Sequence, residues 1–139
     1  MKRPLLITLF LASTLILGAC KSKTETKADE YLAEGKLRNA VRLYMKVEEK
    51  GKQSEEFNDN YSLALTRAMA KAAKSDPAQT VINNYLETIP KYLETSQNQA
   101  VLSEFVSTMA DVANKKIDLE MFSETVEGFN VFKTAQKFA

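Results

Sequence analysis

The stretch Ala28-Asp-Glu-Tyr31-Leu-Ala-Glu-Gly35-Lys-Leu37-Arg-Asn-Ala40-Val41-Arg-Leu-Tyr44 reads as two helices and the turn that joins them. A first helix is predicted over about Ala28–Glu34, ended by Gly35, a residue that accepts the left-handed backbone of a helix C-terminus without strain. The second is predicted from about Leu37 to Glu49. Its residues Leu37, Ala40, Val41, Tyr44 and Val47 recur at the three- and four-residue spacing of one helix face, and Gly51 lies just beyond. Ala40 lets two helices approach closely, while Tyr31 and Tyr44 fill the space at the flanks of that contact.

The same periodicity continues toward the C-terminus. A third helix over about Ser54–Lys74 carries Phe57, Tyr61, Leu65, Ala68 and Ala72 on one face. Ser75-Asp76-Pro77 then interrupts it: Asp76 is a capping residue, Pro77 suits a first helical position, and Gln79 completes a capping-box spacing. The fourth helix carries Val81, Ile82, Tyr85, Leu86 and Ile89, and either ends at Pro90 or kinks there and runs to about Thr95. Tyr-Leu-Glu-Thr occurs at 85–88 and again at 92–95, which sets Tyr85 and Tyr92 on one face. Ser96 with Gln99 offers a second capping box, opening a helix with Leu102, Phe105, Met109, Val112 and Ala113 inward. A last helix over about Asp118–Lys137 presents Phe122, Val126, Phe129 and Phe132. About six helices joined by short turns make an all-α chain, either an antiparallel array of helical hairpins or a compact irregular bundle.

Ala28, Tyr31, Gly35, Leu37, Ala40 and Tyr44 stand at spacings that resemble the tetratricopeptide helix–turn–helix repeat. In that family a small residue and an aromatic pack the first helix, Gly opens the turn, and a small residue and an aromatic on the second helix fill the gap. Val47 departs from the pattern, no Pro closes a repeat near Lys52, and a shift of 34 residues brings no second clean repeat into register. The resemblance covers about 20 residues and implies protein binding through a concave face formed mainly by first helices.

Ahead of the helices the chain has another character. Met1-Lys2-Arg3 is basic, Leu5 to Leu17 is apolar except for Thr8, Ser13 and Thr14, and Gly18-Ala19-Cys20 follows. Basic start, short apolar run and small residues make an export signal, too short to serve comfortably as a membrane span. Leu17-Gly18-Ala19-Cys20 resembles the bacterial lipobox. The resemblance implies signal-peptidase recognition through Leu17, Gly18 and Ala19, removal of residues 1–19, and a diacylglycerol thioether with an N-acyl chain on Cys20. Two or more acyl chains anchor a protein firmly where one binds reversibly. Residues 20–27 then form the lipidated Cys and a flexible polar linker, and 28–139 the helical domain. Lys21 is not the Asp that marks inner-membrane retention in enteric-type bacteria. In a host with two membranes the resemblance therefore implies the outer membrane, with the domain facing the periplasm.

Composition narrows the chemistry. The 139 residues are 45% apolar, and 19 basic residues face 18 acidic ones, a balance that gives nucleic acid no electrostatic foothold. Loss of Lys2 and Arg3 with the leader leaves 17 basic residues against 18 acidic. The chain has no His, so it lacks a Ser–His or Cys–His catalytic apparatus and the commonest metal ligand; with one Cys it forms no internal disulfide. Neither catalytic residues nor a metal site nor a bound cofactor is expected. Glu48, Glu49, Glu55, Glu56 and Asp59 form the densest acidic stretch, but Lys46, Lys50 and Lys52 interleave and the spacing matches no calcium loop, so a solvated turn is expected there. Tyr85, Tyr92, Phe105, Phe122, Phe129 and Phe132 fall at helical spacing and are expected in the core; Phe138 lies at a terminus, frayed or covered by a partner.

These readings converge on a lipid-anchored envelope protein whose helical domain binds other envelope proteins. It resembles, in general kind, the tetratricopeptide lipoproteins of outer-membrane assembly and pilus biogenesis and the pilotins that target secretins. The alternatives are a small-ligand or lipid carrier with an aromatic-lined cavity and, less favoured, an envelope enzyme that works through Glu alone.

Overall fold

In a computed structural model, residues 20–74, 79–118 and 138 are described; they form five α-helices and, among them, no strand. The helices are α1 (Lys23–Ala33), α2 (Leu37–Glu49), α3 (Phe57–Lys74), α4 (Gln79–Leu93) and α5 (Gln99–Asp118). The all-α expectation holds, and the bounds of α2 coincide with those read from its apolar face. The break at 75–77 and the sixth helix expected after Asp118 lie outside the described residues.

The start of α1 differs from expectation. Residues 23–27, read as linker, are helix. Ser22 takes an extended backbone and its hydroxyl accepts the N–H of Glu25 at 3.1 Å, so the cap that starts the helix lies two residues after Cys20. At the other end Gly35 adopts φ +71°. Its N–H reaches the Leu32 carbonyl at 3.1 Å, and the Lys36 N–H reaches the Tyr31 carbonyl at 2.8 Å. This pair of bonds closes α1 as a Schellman motif and turns the chain back along itself. Ala28 and Ala40 are completely buried, as their role at a close helix contact requires, and α1 packs along α2. Tyr31 is half-buried on the flank, with the ammonium groups of Lys27 and Lys36 at 5.1 and 5.7 Å from its ring centroid; Leu37 is also half-buried.

α3 is the centre of the described fold. It packs against α1, α2, α4 and α5, and its buried residues spread beyond a single stripe: Phe57, Tyr61, Ser62, Ala64, Leu65, Thr66, Met69 and Ala73. The inward stripe expected on α3 is therefore corrected at its C-terminal half. Met69 and Ala73 face the core, whereas Ala68 and Ala72 are only half-buried. A helix with neighbours on several sides presents more than one face inward, so one apolar stripe underestimates what it buries.

α4 passes through Pro90 and continues to Leu93. Pro90 has no N–H to give to the Leu86 carbonyl, a cost met by packing, since Ile89 and Leu93 on either side are fully or almost fully buried. α5 is capped by Asn98, whose Oδ1 accepts the N–H groups of Ala100 (3.1 Å) and Val101 (3.4 Å), rather than by Ser96. Ser96 instead donates to Asp59 at 2.6 Å and ties the α4–α5 turn to α3. Along α5, Phe105, Met109 and Val112 are buried as expected, together with Val101.

The α1–α2 contact yields a direct test. Replacing Ala40 with Leu inserts a side chain into a contact that has no room for it and is expected to cost about 1–3 kcal/mol. Replacing exposed Arg42 with Leu is expected to leave stability nearly unchanged. Equal urea midpoints for the two variants would contradict the packing described.

Candidate functional site

Two features stand out, at opposite ends of the helix stack: a polar junction beside Cys20 and an open groove. The junction is organised by two α1 carboxylates. Glu25 is completely buried and its oxygens accept the backbone N–H of Ser54 (3.2 Å) and, by a short bond, the Ser54 hydroxyl. This fixes the turn between α2 and α3 beside the first turn of α1. One turn later, Asp29 accepts the Tyr44 hydroxyl at 2.5 Å, the Asn60 amide at 3.1 Å and the Lys21 ammonium at 2.9 Å. Lys21 also donates to Glu56 at the start of the α3 segment. Its pKa is raised, first by the hydrogen bond to Asp29 and then by that to Glu56. The residue next to Cys20 is thus held by two carboxylates from different parts of the fold.

The acidic stretch disperses. Glu56 pairs with Lys21, Glu48 accepts the Tyr92 hydroxyl at 2.6 Å, Asp59 accepts from Ser96, and Glu49 and Glu55 stand exposed. Among the described residues, no group of three His, Cys, Asp or Glu side chains converges to hold a metal ion.

The aromatics divide in the same way. Tyr44, Phe57, Tyr61 and Tyr92 form one cluster joining α2, α3 and α4, with ring centroids 5.4 Å apart for Tyr44–Tyr61 and 4.6 Å for Tyr61–Tyr92. Phe105 is buried against Phe138 (5.4 Å, edge-on), so the chain covers Phe138 with its own core residue. Phe122, Phe129 and Phe132 lie outside the described residues. Tyr85 does something else: it lines the groove.

That groove, about 600 Å³, opens between the start of α2, the second half of α3 and the middle of α4. Its floor is Ala68 and Ala72, one helical turn apart and too small to fill the space. Leu37 and Val41 wall it on the α2 side and Tyr85 on the α4 side, while Arg38 and Lys71 place positive charge at its edge. Met45, one turn from Val41 and Arg42 on α2, is an exposed large apolar residue. The apolar stripe of α3 places both alanines in the core, and nothing in their spacing distinguishes a buried small residue from the floor of a groove. The Ser22-x-x-Glu25 spacing, by contrast, is a capping-box signal visible in the sequence, and it marks the true start of α1.

Cys20 is exposed and its thiol is free. Among the described residues no helix is long and apolar enough to cross a membrane. The repeat-packing set Ala28, Tyr31, Gly35, Leu37, Ala40 and Tyr44 comes together at the α1–α2 hairpin, with Leu37 extending into the groove.

Burial makes the tyrosines a reporter of the fold. It is the first cause raising the pKa of Tyr44, Tyr61, Tyr85 and Tyr92, with Tyr61 pushed up to about 12. A tyrosine in an unfolded chain ionises near pH 10, so the folded state favours the neutral phenol. The resulting stabilisation is complete below about pH 10 and is lost as the pH rises through the folded-state value. Tyrosinate absorbance, read without interference because the chain has no Trp, is expected to rise together with the loss of helicity above that pH. Ionisation of these four tyrosines near pH 10 with helicity intact would contradict the burial described.

No family model, curated protein or solved structure matches this chain, so the junction, the groove and the sequence around Cys20 carry its functional reading.

Proposed function

We propose that the protein is a bacterial lipoprotein, acylated at Cys20, whose helical domain serves as a protein-binding adaptor in the cell envelope. The observation that carries this reading is the place of Cys20: it follows a basic start, an apolar run and Leu17-Gly18-Ala19, and it directly precedes the folded domain. In a two-membrane host the address is the periplasmic leaflet of the outer membrane.

The groove supports the adaptor half of the reading. Apolar walls with Arg38 at the edge suit a segment that pairs an apolar stripe with an acidic flank, in a partner helix or an extended peptide. Confinement by the lipid raises the effective concentration of such a partner at the same membrane, so a modest groove suffices. Assembly of outer-membrane proteins, pilus biogenesis and secretin targeting are the machines this mode of action fits. A second reading, a carrier of a small apolar ligand, draws support from a groove volume within the range of small-molecule sites. Native mass spectrometry of the purified domain separates them, since a carrier retains a bound ligand and an adaptor does not.

Cys20→Ser is expected to remove acyl mass and release the protein from membranes with its helicity unchanged. Membrane partition that survives this change and a high-salt wash would overturn the lipid anchor. Val41→Glu, which puts a negative charge at the groove wall, is expected to abolish recovery of the partner identified by affinity purification of the tagged wild type from solubilised envelopes. Exposed Gln53→Glu is expected to leave it intact. Equal recovery by the two variants would remove the groove from the account.

A further inference from the structure

Only two residues, Lys21 and Ser22, lie between Cys20 and the first helical residue. Fully extended, they span about 7 Å. Even that short reach is taken up. Ser22 is committed to the α1 cap, and Lys21 is bound to Asp29 at 2.9 Å and to Glu56. Asp29 is itself held by Tyr44 and Asn60, so the clamp closes on a fixed group. Resting on the acylation of Cys20, we propose that Lys21 locks the lipid-bearing end of the chain to the domain, so that the α2–α3 turn rests on the bilayer and the groove is held away from it.

The geometry follows from the helix directions. The Glu25–Ser54 bonds place residues 50–56 beside the start of α1, and the Lys21–Glu56 pair places them beside the residue that follows Cys20. The groove lies at the other end of the same helices, at Leu37, Arg38 and Val41 on α2 and Ala68, Lys71 and Ala72 on α3. At 1.5 Å of rise per residue, Ala68 is about 16 Å along α3 from Phe57, which opens the helix beside the turn. The turn carries Lys50 and Lys52 beside Glu49 and Glu55, charges that balance, so the lipid tether rather than electrostatic attraction sets the contact with the headgroups. An adaptor built this way presents its groove to partners that extend from the membrane rather than to the headgroups.

Acylation consumes the Cys20 thiol, which leaves a newly introduced cysteine free for labelling. A fluorophore is placed at exposed Gln53→Cys in the turn or at exposed Ala33→Cys at the far end of α1, about 15 Å along that helix. Each acylated protein is reconstituted in phosphatidylglycerol–phosphatidylethanolamine vesicles that contain a headgroup spin-labelled quencher, after intact mass and vesicle flotation have established the anchor. Quenching is expected to be several-fold stronger at position 53 than at 33. A flexible Gly-Ser spacer inserted between Cys20 and Lys21 keeps every contact within the domain and is expected to equalise the two. Lys21→Gln, with the short spacing kept, is expected to reduce the contrast. Equal quenching in the acylated wild type, or a contrast that the spacer leaves untouched, overturns the orientation. A contrast unaffected by Lys21→Gln overturns the clamp. A protein with no acyl mass that fails to float overturns the anchor and the orientation that rests on it.

Discussion

The fold depends on how Asp29 is shared. This α1 carboxylate accepts hydrogen bonds from Tyr44 on α2, Asn60 on α3 and Lys21 ahead of α1, and so joins three helical segments and the chain's exit toward Cys20. A bond from a neutral donor to a charged acceptor is among the stronger hydrogen bonds in proteins, and leaving a buried phenol without its acceptor costs about 1–3 kcal/mol. The bond to Asp29 fixes the hydroxyl of the fully buried Tyr44. Its ring, stacked on Tyr61 and edge-on to Phe57, carries that position into the core between α2 and α3.

From that point outward the chain divides into an end that is closed and an end that is open. Near Cys20, polar groups satisfy one another: Glu25 with Ser54, Asp29 with Tyr44, Asn60 and Lys21, Glu56 with Lys21. At the far end, small residues on α3 leave space that Leu37, Val41 and Tyr85 border without filling. A protein attached to a membrane at one end and meeting its partners at the other has use for this asymmetry. In the adaptor proposed above, rigidity at the attachment would give the groove a defined direction, and the open end would supply surface for a partner to bury.

Much of this was legible in the sequence, for reasons that can be named. α2 shows its bounds because five apolar residues fall on one face between Leu37 and Val47 and a glycine follows. The turn at Gly35 was legible because few residues accept its positive φ. The start of α1 escaped because Lys21 to Lys27 has no apolar residue, and apolar periodicity is blind to a helix turn fastened by a cap and a buried carboxylate. Ser22 and Glu25 held that information in their spacing. The spacing of Ser96 and Gln99 points to Ser96 as the α5 cap, yet Asn98 performs that role two residues on, because both can cap and tertiary contact with Asp59 engages Ser96. The groove could not be read at all: Ala68 and Ala72 are core or floor according to where α4 lies, and α4 is placed by contacts distant in sequence.

That the fold begins two residues after Cys20 is tested by native-state hydrogen exchange of the chain from Cys20 onward, resolved by residue. Amides in the second and third turns of α1 are expected to be protected to the same order as those of α2, and Asp29→Asn to weaken that protection while sparing α5. Fast exchange through residues 27–33, with α2 and α3 protected, would show that the folded domain starts later than Ser22.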